Sequence, residues 1–381
     1  MYSTTRDEAY EIEALVDELA ERIGLRRPTS PEEARAAAFV NGRLRRAGMG
    51  VSTYELRAIA RPGSSSVLFG ALGLTSALLA LALPGPGLLL SLGLLAIALV
   101  DGLVAPLPAV GRRRVSQNIV GTRAVAGAGG LTPAEPRWRV LLLAPLDTPA
   151  QQPGLAALAG GTRAAVLTRL GAVTLLVAGS LLAVFLPGPW WLVQLAAALL
   201  FTLILIGATR PFTANPADGG QTALAALVAA VSRLGPMERV ELWAVAVGAA
   251  GSDPGGVTSL LQRYPFERER TLVIALEQLV GGQLVYATAE GALRRRLADD
   301  LLVRLAAATD AADPQIDADP RRLTTDGALA APLRRLGYRA LTIVASPAPG
   351  GVAAPASPAA RLVERVARLV TGIVQRLETE H

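Results

Sequence analysis

The sequence contains no cysteine and no lysine; its 37 basic residues are all arginine. Its one histidine is His381, the last residue. Without cysteine there are no disulfide frameworks, thiolate metal sites, iron–sulfur clusters or thiol nucleophiles. Without lysine there is no Schiff-base chemistry and no Walker-type phosphate lysine. Without an internal histidine there is no imidazole base or imidazole metal ligand inside the chain, which excludes most serine hydrolases and most zinc enzymes. A Gly-x-Ser-x-Gly nucleophile elbow is missing as well. Charge is scarce, 18% of residues against 51% apolar, and mean hydropathy is +0.41. A disordered chain has the opposite balance, and the excess over a soluble globule predicts that part of the chain lies in lipid. The 381 residues suffice for two or three typical domains. A formal charge of +6 suits an anionic partner, either nucleic acid or the cytoplasmic face of a bilayer. The hydropathy favours the bilayer.

What is present first is a set of four long apolar runs. Val67 to Leu83 and Leu88 to Ala105 flank Pro84-Gly85-Pro86-Gly87, and Leu170 to Leu186 and Trp190 to Ala208 flank Pro187-Gly188-Pro189. Each run is long enough to cross roughly 30 Å of hydrocarbon as a helix. The two pairs therefore predict transmembrane hairpins over 67–105 and 170–208. Met1 to Leu19 is acidic and amphipathic, unlike a secretory signal. Arg57, Arg61 and Arg112 to Arg114 flank the first hairpin, and Arg163, Arg169 and Arg210 the second, while neither turn carries charge. Arginine bias predicts a multi-pass cell-membrane protein with both termini and the long flanking segments cytoplasmic, and Trp190 and Trp191 at the outer interface. Asp101, the one ionisable residue near a span centre, is expected to reach the headgroups from the cytoplasmic end.

The remaining segments, 1–66, 106–169 and 209–381, are expected to fold together as one cytoplasmic domain. Glu8 to Ile23 reads as an amphipathic helix. Ser30-Pro31-Glu32-Glu33 is a helix start, with that helix running to about Ala47. Strands are predicted at Val51–Arg57, Gln117–Thr122, Arg139–Ala144, Val240–Val247, Thr271–Leu276, Leu284–Thr288 and Leu341–Ala345. Helices are predicted at Gly219–Leu234, Gly291–Ala307 and Ala359–Leu377, and a loop at Pro347–Pro358. Alternating helices and strands predict an α/β fold with a mostly parallel sheet flanked by helices. Asp253-Pro254-Gly255-Gly256 reads as a turn opening a helix. Arg294-Arg295-Arg296 has no aromatic interleaving, so nucleic acid is not an expected partner; it reads as a solvated helix face or a headgroup contact.

The order of these segments resembles the M28 family of zinc aminopeptidases. The resemblance rests on Phe39-Val40-Asn41-Gly42-Arg43-Leu44 to Tyr54-Glu55-Leu56, then Gln117 to Thr122 and Val140 to Thr148. It continues through Ala214 to Gly220, Val247 to Ser252, Ile274 to Glu277, Thr324 to Gly327 and Gly337 to Ile343. It implies a zinc-exopeptidase-like fold interrupted by the two hairpins. The family's chemistry needs two zinc ions bridged by an aspartate, with a glutamate as proton carrier.

Carried over residue by residue, the first histidine ligand falls on Pro145, two before Asp147. The bridging aspartate falls on Ala217, beside Asp218. The paired glutamates fall on Ala249 and Ala250, the next acid on Glu277, and the last histidine on Gly327, after Asp326. Ligands thus become Pro, Ala and Gly, so no catalytic residue, metal or cofactor is expected. Asp147, Asp218, Glu277 and Asp326 would remain as a vestigial cleft. Each also has a plain structural role open to it: a turn cap for Asp147, an arginine partner for Glu277, the N-cap of a helix over Ala328–Leu336 for Asp326. Asp147, Asp218 and Glu277 together could hold Mg²⁺ or Ca²⁺. The resulting expectation is a membrane-anchored, catalytically inactive peptidase-like protein. Its partners would be anionic lipid headgroups and a peptide or membrane protein. The alternative is an active membrane-bound metallopeptidase or hydrolase with a non-standard carboxylate metal site.

Overall fold

The computed structural model describes residues 2–61, 63–104, 107, 110–126, 135–148, 154–210, 220–251, 254–346 and 359–380. The expected loop Pro347–Pro358 lies outside them.

The chain opens with α1 (Tyr2–Asp17), continued by a π-helical stretch over Glu18–Ile23. α2 (Pro31–Arg46) starts as the sequence predicts: the Ser30 hydroxyl accepts the Glu33 N–H, and Pro31 takes the first helical position, where no N–H is needed. β1 (Gly50–Ile59) leads into α3 (Ser64–Ala82) and α4 (Pro84–Leu103), separated by Leu83 alone. Proline can begin a helix but not continue one, so Pro84 forces the reversal. β2 (Arg113–Arg123), β3 (Trp138–Pro145) and a 3₁₀ segment over Gly154–Ala159 precede the second hairpin, α5 (Arg163–Phe185) and α6 (Trp191–Thr209). α7 (Gly220–Arg233), β4 (Val240–Val247), α8 (Gly255–Arg263) and β5 (Thr271–Leu279) follow. After them come β6 (Gln283–Glu290), β7 (Arg296–Leu297), α9 (Asp300–Ala312), β8 (Ala318–Arg322), α10 (Ala330–Arg335), β9 (Arg339–Ser346) and α11 (Ala359–Thr379).

The described strands form one sheet in the order β1-β2-β4-β3-β5-β9-β6-β7, with β8 paired to β6. Where a mostly parallel sheet is predicted, the sheet is mixed. β4, β3, β5 and β9 run parallel. The pairs β1–β2, β2–β4, β6–β9 and β6–β7 are antiparallel. Two antiparallel helices between β1 and β2 return the chain to the end it left, so those strands must run in opposite directions.

Val140, Leu142 and Ala144 face one side of the sheet and Leu141 and Leu143 the other, which is why β3 needs an unbroken apolar run. The first side is covered by α1, α2, α7, α9 and α11. The second carries α8 and α10, with Trp243 edge-on to Tyr264 and Phe266. The helix predicted over Gly291–Ala307 begins only at Asp300, where Asp299 caps it by accepting the Leu302 N–H. Gly291, at φ +127°, breaks the chain out of β6, and the Arg294–Arg296 cluster lies in the following turn and β7 rather than on a helix face.

α3, α4, α5 and α6 pack around Phe69, Leu94, Leu176 and Phe201. Glycine allows the close approaches: a Cβ on Gly73 would collide with the Phe201 ring, and one on Gly87 with the Ala80 backbone. Leu89, Leu199 and Phe185 point outward. All four helices are long and apolar enough to cross a membrane. α3 starts three residues and α5 seven residues before the predicted spans. The Thr162 hydroxyl, capping Ala165, sets the α5 start, so Arg163 and Arg169 lie inside the helix.

Candidate functional site

Parallel strands bring their carboxyl ends to one edge of the sheet, where α/β proteins bind ligands. Pro145 pairs with Val247, and Glu277 lies two residues past Ala275, the partner of Leu143. The ends of β3, β4 and β5 therefore converge. Ala249, two residues past β4, and Gln278, next to the last residue of β5, hold left-handed φ of 51° and 46°. Such backbone in a non-glycine residue persists only where neighbours over-determine it.

The neighbours are carboxylates. Buried Asp147 accepts the N–H groups of Ala250 and Gly251, both at 2.9 Å. Glu33, from the first turn of α2, accepts the Ala249 and Thr29 N–H groups, both at 2.6 Å, and the Ser116 hydroxyl at 3.1 Å. Between them lies Arg26, 1% exposed, whose Nε donates to the Leu146 carbonyl at 2.7 Å. Burial lowers the Arg26 guanidinium to about 10, against the pull of Asp147 and Glu33. Burial raises the Asp147 carboxyl to about 7; Glu33 adds to the rise, and the two N–H bonds oppose it. Asn118 completes the support: its Oδ1 accepts the Gly248 N–H and its Nδ2 donates to Tyr54 and the Gly256 carbonyl.

Glu277 plays the same part on the other side. Its carboxylate accepts the N–H groups of Ala328, Leu329 and Ala330 at 2.5, 3.0 and 3.0 Å, capping the entry to α10. Burial raises it to about 7, with Glu290 adding and the three N–H bonds opposing. The N-cap role open to Asp326 thus belongs to Glu277, and Asp326 instead pairs with Arg335 at 2.7 Å. Glu277 has backbone donors in place of the arginine partner the sequence suggests, while nearby Glu290 pairs with Arg334 at 2.7 Å.

Pro145, Asp147, Ala250, Glu277 and Asp326 line one cavity of about 360 Å³. Gly327 lines an adjoining one of about 280 Å³, which shares Ala250, Gly251 and Asp326 and reaches Ser64, Asp101 and Arg169 at the end of the helical bundle. Asp101 is turned into this junction rather than outward: it bonds Arg169 at 3.1 Å and accepts the Leu107 N–H. Ala249 packs with Leu56 and Ala58 instead of lining the cavity. Ala217 and Asp218 lie outside the described residues.

Zinc does not fit the donors found here. Among the described residues no three of His, Cys, Asp or Glu come together as a metal cluster. The two buried carboxylates of the cavity are engaged by backbone N–H groups, and zinc sites need three or four ligands from imidazole, thiolate and carboxylate. A Cβ on Gly327 would stand 2.7 Å from Glu277 Oε1, so a side chain at that position would have to displace the Glu277 carboxylate.

Glu33 and Arg26 escape sequence reading. Glu33 sits in a Ser-x-x-Glu capping box, and that local role absorbs the signal; its reach to Ala249 is purely tertiary.

No known family profile matches the chain, and no curated protein matches it in sequence. Solved structures do match. A zinc aminopeptidase from Bacillus subtilis aligns with a TM-score of 0.54 at 11% identity, over 97% of this chain and 95% of that one. An aminopeptidase from Aneurinibacillus sp. strain AM-1 aligns with a TM-score of 0.54 at 12% identity, over 97% and 93%. A Bacteroides thetaiotaomicron glutaminyl cyclase bound to N-acetylhistamine gives 0.50 at 12% identity, over 97% and 96%. The chain shares the zinc-exopeptidase-like α/β fold of these proteins.

Proposed function

We propose that this is a membrane-anchored protein with a peptidase-like α/β domain that binds a peptide or a protein partner in its cleft without hydrolysing it. The observation that carries this reading is the use of the cleft carboxylates. Asp147 and Glu277 each bind backbone N–H groups with both oxygens, holding the loops after β4 and before α10. Of about four lone-pair sites on a carboxylate, two on Asp147 and three on Glu277 are thus taken, which leaves a dication little to share. The candidate positions Pro145, Ala249, Ala250 and Gly327 supply neither ligand nor base. Losing a general base alone typically costs about 10²–10⁴ in rate. What the cleft does offer a partner is a cavity lined by polar residues, among them Thr162, Gln278, Thr325 and Asp326. Such a lining suits an extended peptide or a chain terminus.

The four helices would hold the domain at the inner face of the cell membrane, with both termini and the segments 1–66, 106–169 and 209–381 cytoplasmic. Supporting this are the uncharged hairpin turns and the arginines at the opposite helix ends. The bundle is bonded to the sheet-bearing part: Arg61 donates to the Ala208 and Thr209 carbonyls, and Arg296 to the Val104 carbonyl.

Elemental analysis and an aminopeptidase assay on the detergent-purified full chain test the reading. Less than stoichiometric zinc is expected, and no turnover with added Zn²⁺, Mn²⁺ or Mg²⁺. Stoichiometric metal together with chelator-sensitive cleavage would instead establish a non-standard carboxylate metallopeptidase.

A further inference from the structure

A third pocket, of about 850 Å³, lies where the bundle meets the sheet-bearing part, with Ser64 bordering both it and the 280 Å³ cavity. Six arginines line it: Arg26, Arg27, Arg61, Arg112, Arg114 and Arg210; no lining residue is acidic. Arg112, Arg114 and Arg210 are exposed and make no ion pair among the described residues. Arg61 is held by the carbonyls ending α6. Buried Arg26 presents an Nη2 with no hydrogen-bond partner among the described residues. Opposite the arginines the wall is apolar: Ile59, Val110 and, along α3, Val67, Leu68 and Ala71. From Ser64, which also lines the pocket, to Ala71 the α3 axis rises about 10 Å. The cationic rim and the apolar wall are thus stacked along a helix apolar enough to span a bilayer.

We infer that this pocket binds one acidic phospholipid, with its phosphate among Arg112, Arg114 and Arg210 and an acyl chain along Val67, Leu68 and Ala71. The charge selects an anion: a guanidinium fork binds phosphate oxygens in pairs, and several fixed cations with no carboxylate between them repel each other until an anion enters. The apolar wall selects an amphiphile over a free anion, because only an amphiphile also packs on Leu68 and Ala71, both exposed on α3. The wall also continues directly onto the lipid-facing side of α3, where an acyl chain needs no separate entry. The inference rests on the membrane reading above and deepens it from general headgroup attraction to one built site.

The test uses the full chain, delipidated in a neutral detergent and titrated with phosphatidylglycerol, phosphatidylcholine or glycerol 3-phosphate. Bound lipid is counted by native mass spectrometry and Tm is recorded. Phosphatidylglycerol should bind one per chain and raise Tm, with little response to the other two. The exposed triple variant Arg112→Gln/Arg114→Gln/Arg210→Gln should keep the unliganded Tm and bind phosphatidylglycerol about 100-fold more weakly, from roughly a fivefold loss per arginine near the surface. Equal binding of phosphatidylcholine, undiminished binding by the variant, or equal stabilisation by glycerol 3-phosphate would overturn the site. Carbonate extraction judges the membrane reading separately. Retention of both proteins in the pellet with equal binding of the two lipids overturns only the lipid site; release of the wild type overturns both.

Discussion

Asp147 and Glu277 set the pH behaviour of the cleft. Their carboxyls stand at about 7 in the folded chain, above their ordinary 3.8 and 4.5. Between those limits the folded state binds more protons than the unfolded one. Their stabilising contribution is therefore full below about pH 4 and is lost as pH rises through about 7. Comparing Tm at pH 5.5 and 8 for the wild type and for Asp147→Asn/Glu277→Gln isolates this effect. The wild type should gain more stability toward pH 5.5 than the variant does; equal pH slopes would refute the assignment. Asp147→Asn turns one acceptor into an amide facing an N–H, so at pH 8 it also trades a buried charge for a lost bond. At pH 5.5, where Asp147 is already protonated, only the loss remains, about 1–3 kcal/mol by denaturant unfolding.

At the scale of elements, the pair that ties α4 to α5 is Asp101–Arg169. Both side chains are largely buried, at 13% and 8% exposure, so each neutralises a charge the other would leave stranded. Arg169 also donates to the Leu158 and Gly160 carbonyls, joining α5 to the 3₁₀ segment. Asp101→Ala should cost about 3–5 kcal/mol by leaving a buried cation without its anion. Asp101→Ala/Arg169→Ala should cost less than the sum of the single changes, since neither charge is then stranded. Thermal unfolding of the detergent-solubilised variants reads both. An additive double variant would mean that the pair contributes only through separate backbone bonds.

For the whole molecule, the proposed orientation places both hairpin turns on one side of the membrane and the sheet on the other. Gly85 has open space around it, Leu186 is 52% exposed and Leu297, on β7, is 76% exposed. Gly85→Cys and Leu186→Cys should label from outside intact cells with an impermeant thiol reagent, and Leu297→Cys only after lysis. The native chain has no cysteine to confuse the signal. Labelling of Leu297→Cys in intact cells would reverse the orientation.

Much of this molecule follows from local pattern. Val240–Val247 is a strand to the residue because its apolar run is bounded by turn residues. The Pro-Gly-Pro breaks place both hairpins, since a proline ring ends a helix by sterics that need no tertiary partner. Even the absence of internal histidine, cysteine and lysine is decided by counting. Other features required the assembled fold. β8, Ala-Asp-Pro-Arg-Arg, has no strand pattern, and pairing with β6 alone makes it one. The sheet's mixed direction depends on where each helical excursion returns the chain. Glu33 bonds Ala249 across 216 positions, and Glu277 rather than Asp326 caps α10. No window of sequence contains both partners of such bonds. The carboxylates are legible as residue types, but which N–H groups they bind is decided by loops that meet only after the parallel strands align their carboxyl ends.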